Sequence, residues 1–388
     1  MEATEEQQRQ RLARARRVVI KVGSALLTDP ITGLARDRIR TWCQEIQQLA
    51  SGDRQILLVS SGAVAEGVAR LGLSRRPSTV HGLQAAAAVG QMGLVEAYEQ
   101  AFASHGRQTA MVLLTHEDLA DRQRYLNARA TLNSLLELGV IPIVNENDTV
   151  ATDEIRFGDN DTLAALVSNL LQADLLVILT DTNGLYEQDP RREPRAPLVH
   201  WADAVDPRLD AMVGEGPGEL GRGGMVTKLK AARIAARSGA DTVIAGGQQP
   251  AVLARILAGE AVGTMLSASI LPLDARKRWI AGQLRAKGDL VLDAGAVEAI
   301  TSRGVSLLPV GVVAVRGRFD RGDVVRCLDS RGRVVAQGLV NYASEEAERL
   351  AGAASADIGK RLGYSLEPEL VHRDNLAVLA GALSSSET

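Results

Sequence analysis

The chain has 388 residues, long enough for two domains and at least one large core. A composition of 46% hydrophobic and 23% charged residues, with a net charge of −3, excludes wholesale disorder and argues against a protein built mainly to grip nucleic acid phosphates. Cys43 and Cys327 lie outside any Cys-x-x-Cys pattern, the five histidines lack ligand spacing, and no run of about 18 apolar residues occurs, so no disulfide framework, zinc site or membrane span is expected.

The opening "MEATEEQQRQRLARARR" turns from acidic to basic with no apolar stretch behind it. It reads as an N-terminal extension over residues 1–16, of which about 11 look dispensable, and not as a signal peptide, so a cytoplasmic protein is expected. From 17 to 268 short apolar runs alternate with helical patterns. The runs are "VVIKV" (18–22), "ILLV" (56–59), "MVLL" (111–114), "VIPIV" (140–144), "LLVIL" (175–179) and "TVIA" (242–245). Branched and apolar on both faces, they suit strands buried in a parallel sheet. Residues 36–50 and 125–139 carry helical spacing, the second ended by Gly139. Alternation of this kind predicts a three-layer αβα domain with a mostly parallel sheet, whose ligands bind beyond the carboxyl ends of the strands. Residues 269–285 read as a linker. Glycine-punctuated β-like runs over 286–364 predict a small β-rich domain, and 365–388, ending in "LSSSET", read as a frayed tail.

Five places in the first domain can carry chemistry. Lys21 at a strand end, with Gly23 and Ser24 after it, is either a phosphate-binding turn or a solvated edge. Ser60, Ser61 and Gly62 form a small turn opening a helix, suited to an anion or simply to a cap. "VNENDTVATDEIRFGDND" (144–161) packs six carboxylates between two apolar runs. There Asp161 serves at least as a helix cap, whereas Asp148 and Asn160 are harder to explain by local structure, and Asp153 and Glu154 read as solvated loop. Thr180 and Asp181 close the run "LLVIL" and either meet a nucleotide or make a turn. Last, Gly221, Gly223 and Gly224 precede a helix with Lys228 in its first turns, either a close approach to phosphate or a surface loop.

The order "KVGS…SSGA…NEND…GDND…TDTNGLY…GGMVTK" resembles the glutamate 5-kinase family of the amino acid kinase superfamily, and the C-terminal segment is similar to a PUA domain. The resemblance covers roughly residues 17 to 375, and departs from it at Arg222, where the family more often has threonine. It implies ATP-dependent phosphorylation of the side-chain carboxylate of L-glutamate to L-glutamyl 5-phosphate, the first step of proline biosynthesis, with Mg²⁺ carried mainly by the ATP. It implies Ser61, Asp148 and Asn160 on glutamate, and Lys21, Gly23, Ser24, Thr180, Asp181, Arg222, Gly223, Gly224, Met225, Val226, Thr227 and Lys228 on ATP. Lys21 and Lys228 are the catalytic candidates, with Asp159 and Asp161 as acids that orient them. It further implies proline as feedback inhibitor, a glutamyl phosphate reductase as partner, and a homodimer or homotetramer.

A carboxylate nucleophile is ionised at neutral pH, so the absence of a plausible His–Asp or Ser–His pair in the sequence fits this chemistry. The rival acceptors are N-acetylglutamate, aspartate and a nucleoside monophosphate. RNA binding through the PUA-like segment is a rival of another class. It is disfavoured because the arginines there are interspersed with acids and few aromatics accompany them.

Overall fold

A computed structural model describes residues 4–29, 33–50, 52–150, 160–213, 224–268 and 286–379. They divide into two compact units, with the boundary between Pro272 and Leu273. No described helix is long and apolar enough to cross a membrane.

The first unit contains strands β1 (Arg17–Val22), β2 (Thr28–Asp29), β3 (Gly33–Leu34), β4 (Gln55–Val59), β5 (Thr109–Leu114), β6 (Ile141–Glu146), β7 (Leu175–Thr180), β8 (Trp201–Asp203), β9 (Asp241–Gly246) and β10 (Thr264–Ser267). β2 and β3 form a small antiparallel hairpin. The other eight make one sheet in the order β5-β6-β4-β1-β7-β9-β10-β8. All neighbours are parallel except β9 and β10.

Period-two alternation along the strands sorts side chains to two faces. Val18, Ile20 and Val22 of β1, with Leu175, Val177 and Leu179 of β7, join one core. The helices Arg36–Leu49 and Val80–Ala103 cover that side through Ile39, Trp42, Ile46, Leu94 and Phe102. Val19 of β1, with Leu176 and Ile178 of β7, joins the other core, covered by the helices Asn160–Leu171 and Met225–Arg237. The result is the three-layer sandwich expected. By the same alternation Lys21 falls on the face of Val19, beneath the N-terminal ends of those last two helices.

Within the supposedly dispensable extension, Glu5–Ala13 is a helix tied to the sheet. Arg9 is buried there and donates to the backbone carbonyls of His200, Glu260, Val262 and Gly263, while Leu12 packs into the first core. Nothing in "EEQQRQRLA" marks an apolar face; the docking combines Leu12 in the core with one guanidinium filling four carbonyls.

The second unit holds β11 (Gly288–Leu292), β12 (Val312–Gly317), β13 (Val324–Leu328), β14 (Val334–Leu339) and β15 (Leu376–Val378), in the order β12-β11-β13-β14-β15. Residues 365–379, expected as tail, are part of it. β15 pairs antiparallel with β14, and Leu370, Val371 and Leu376 lie in its core. A three-residue strand is too short for alternation to be read from sequence.

Candidate active site

The parallel strands bring their carboxyl ends to one edge of the large sheet, and the expected site residues in the described segments gather along it. Lys21 is the penultimate residue of β1 and is buried. Lys228 is the fourth residue of Met225–Arg237 and also buried. Between them stands Asp161, in the first turn of Asn160–Leu171. Lys21 Nζ lies 2.6 Å from Asp161 Oδ1 and Lys228 Nζ lies 3.2 Å from Asp161 Oδ2. Thr227 Oγ1 donates to the same Oδ2 at 2.7 Å. Burial pushes the Asp161 carboxyl up, but the two ammonium groups outweigh it and hold it down at about 2. Burial lowers the Lys228 ammonium, a shift that Asp161 opposes and Lys21 reinforces. Two cations sharing one anion leave a positive charge in a poorly solvated place, which favours an anionic ligand.

Beside this centre lies a polar relay. Asn160 Nδ2 donates to the Ser60 carbonyl at 2.6 Å, to Ser61 Oγ at 2.9 Å and to Asn145 Oδ1 at 3.1 Å. Asn145 Nδ2 donates in turn to Gln91 Oε1 at 2.9 Å. Ser60 Oγ and the buried Tyr98 hydroxyl are 3.0 Å apart. Gly62, at φ +101°, is the one turn residue here whose backbone lies in the left-handed region, and it starts the helix Ala63–Arg70. The relay leaves Asn160 Oδ1 and Gln91 Nε2 buried without a hydrogen-bond partner among the described residues.

Asp148 follows β6 in a turn. Burial and then the charge of Glu146 raise its carboxyl to about 7, against a lowering by Arg76. At the end of β7 Thr180 is buried and its hydroxyl donates to Asp181 Oδ1 at 3.1 Å. Gly23 N–H donates to the Leu179 carbonyl at 3.0 Å, holding the turn after β1 against β7, and Ser24 opens the short helix that follows. Trp42 Nε1 donates to the Gly247 carbonyl at 3.0 Å, and Gly247 N–H to the Thr180 carbonyl at 2.9 Å, bracing the same edge from behind. Gly224 precedes the 225–237 helix and accepts from Thr227 Oγ1; Met225 packs on the second core and Val226 is exposed. Asp159, Arg222 and Gly223, with Asp153 and Glu154, lie outside the described residues.

The structure thus brings Lys21, Asp161, Thr227 and Lys228 into contact, and joins Ser61 to Asn160. Four contributors escaped sequence reasoning. Asn145 sits inside the quoted "NEND", so its signal was in view; Gln91, Tyr98 and Trp42 lie in helical patterns and carry no local sign of the role.

A profile of the amino acid kinase family matches residues 16–246, and one of the PUA domain matches residues 288–362. A glutamate 5-kinase from Chromohalobacter salexigens is 58% identical over 379 residues, covering 98% of this chain and all of that one. Those of Thioalkalivibrio sulfidiphilus and Methylococcus capsulatus are 59% and 57% identical, each over 96% of this chain and all of their own length.

Proposed function

This chain belongs to the amino acid kinase family, with a C-terminal PUA domain, and we propose that it is a glutamate 5-kinase that transfers the γ-phosphoryl group of ATP to the side-chain carboxylate of L-glutamate. The product is L-glutamyl 5-phosphate, and the reaction is the first step of proline biosynthesis. The observation that carries the chemistry is the Lys21–Asp161–Lys228 bridge. Attack by a carboxylate on a phosphoryl group needs no general base, since the nucleophile is already ionised. It needs two anions held together and the charge on the transferred group stabilised.

Lys21 and Lys228 supply that neutralisation, one on each side of the transferred phosphoryl group. Asp161 sets their spacing and is a positioning residue. Gly23, Ser24 and Gly224 to Lys228 are assigned to the phosphates, with Arg222 and Gly223 expected to share that role, and Thr180 and Asp181 to the remainder of ATP. Ser61 and Asn160 hold glutamate, and Asp148 meets its α-ammonium group. Among the described residues no group of three acidic, histidine or cysteine side chains is arranged to hold a metal, and Asp161 is already engaged by two lysines and a threonine. Mg²⁺ would come mainly with the ATP and would offset phosphate charge.

The acyl phosphate product hydrolyses readily, so a reductase that consumes it at once is the expected partner. Proline as feedback inhibitor, a homo-oligomer and a cytoplasmic setting complete the reading; RNA binding by the PUA domain is the less favoured alternative.

ADP release measured with glutamate, N-acetylglutamate, aspartate and UMP as acceptors tests the assignment. Turnover with glutamate is expected; turnover with another acceptor and none with glutamate overturns it.

A further inference from the structure

At the carboxyl end of β6 the Glu146 side chain is 3% exposed, and its Oε1 has no hydrogen-bond partner among the described residues. His116, which opens the short helix after β5, places Nδ1 3.6 Å from that oxygen. Two residues beyond Glu146, in the turn that follows the strand, stands Asp148. A sealed carboxylate with a half-buried one two residues on carries negative charge that a nearby cation stabilises. We propose that Glu146 is a specificity-determining residue that acts through Asp148: together the two carboxylates form a site whose charge favours the α-ammonium group of the acceptor. This rests on the reading above that Asp148 faces that ammonium.

The electrostatics agree. The Asp148 carboxyl is raised to about 7 by burial and next by Glu146, with Arg76 as the opposing charge. The groups facing the pair are therefore His116 beside Glu146 and Arg76 near Asp148. Near pH 7 the empty protein keeps a proton on Asp148 in about half of its molecules. When the ammonium group enters, that proton leaves to solvent, the ammonium keeps all three of its own, and no other bond changes. Glutarate has the same two carboxylates without an amine. It gains nothing from the pair and is repelled by it.

The experiment uses the full chain and compares the native protein with E146Q and D148N. It measures kcat and KM for glutamate, inhibition by glutarate, and protons released on glutamate binding, by titration calorimetry in buffers of different ionisation enthalpy. At about pH 8, above the Asp148 value of about 7, E146Q is expected to raise the KM for glutamate about tenfold and to hold kcat within about twofold. Glutarate should inhibit E146Q as well as or better than native. Equal weakening of glutamate and glutarate, or an unchanged KM, overturns the proposal. If E146Q does not fold, the native protein decides: proton release near pH 7 supports the pair, and none between about pH 6 and about pH 8 overturns it. D148N separates the two claims. An unchanged KM in D148N removes the ammonium reading itself; a raised KM in D148N beside a native KM in E146Q removes only the role of Glu146.

Discussion

Lys21 Nζ lies 2.6 Å from Asp161 Oδ1, with both side chains all but sealed from solvent and Lys228 on the other oxygen of the same carboxylate. Asp161→Asn leaves two buried ammonium groups without their counter-charge. A loss of about 100-fold in kcat is expected, exceeding any change in KM for glutamate, from steady-state kinetics. A kcat within about threefold of native would show that the lysines hold their places unaided.

The same carboxylate should mark acid stability. Its folded value of about 2 lies below its ordinary 3.8, so its stabilising contribution is complete above about pH 4 and fades as the pH falls toward 2. Acid unfolding followed by circular dichroism should therefore lose part of its slope in that window in Asp161→Asn. An identical slope counts against the bridge.

Asp148 shifts the opposite way, and the sign reverses. With its carboxyl raised to about 7, the empty protein loses stability from this group as pH rises from about 4 through about 7, and bound glutamate offsets the loss. The KM for glutamate should fall as pH climbs from about 6 to about 8, while the KM for ATP follows no such course. A flat glutamate profile would separate Asp148 from the substrate ammonium.

Two glycines set the approach of the helices behind the Ser60–Ser61 turn. A Cβ on Gly90 would stand 1.8 Å from the Ala63 carbonyl oxygen, and one on Gly67 would stand 1.7 Å from that of Ala86. Gly90→Ala must push the 63–70 helix outward. A stability loss of about 2 kcal/mol or more is expected by denaturant titration, with KM for glutamate rising more than KM for ATP.

Arg9→Ala removes the donor that fills four carbonyls. Thermal or denaturant unfolding should show a loss of about 2–4 kcal/mol. Unchanged stability would return the segment to the status of a dispensable extension.

The sheet was legible where strands are buried on both faces, as in "VVIKV" and "LLVIL", because no other element packs so many branched side chains into so few residues. β8 and β10 were not, being three and four residues long without contrast to their flanks. The reach of Arg9 and the closing strand Leu376–Val378 were invisible for a related reason: both depend on what lies across the fold. Within the site, Lys21, Asp161 and Lys228 could each be named, but their local readings were a strand edge, a helix cap and a surface loop. The strand order of the parallel sheet brings the three together, and only then does one carboxylate serve two lysines. Gln91 shows the limit, since a glutamine on a long helix carries no mark of its bond to Asn145.

Trapping the acyl phosphate tests the central claim most directly. With ATP, Mg²⁺, L-glutamate and hydroxylamine, the protein should form the side-chain hydroxamate of glutamate in step with ADP. ADP release without that hydroxamate, or a hydroxamate at the α-carboxyl group, would contradict the transfer of phosphoryl to the glutamate side chain.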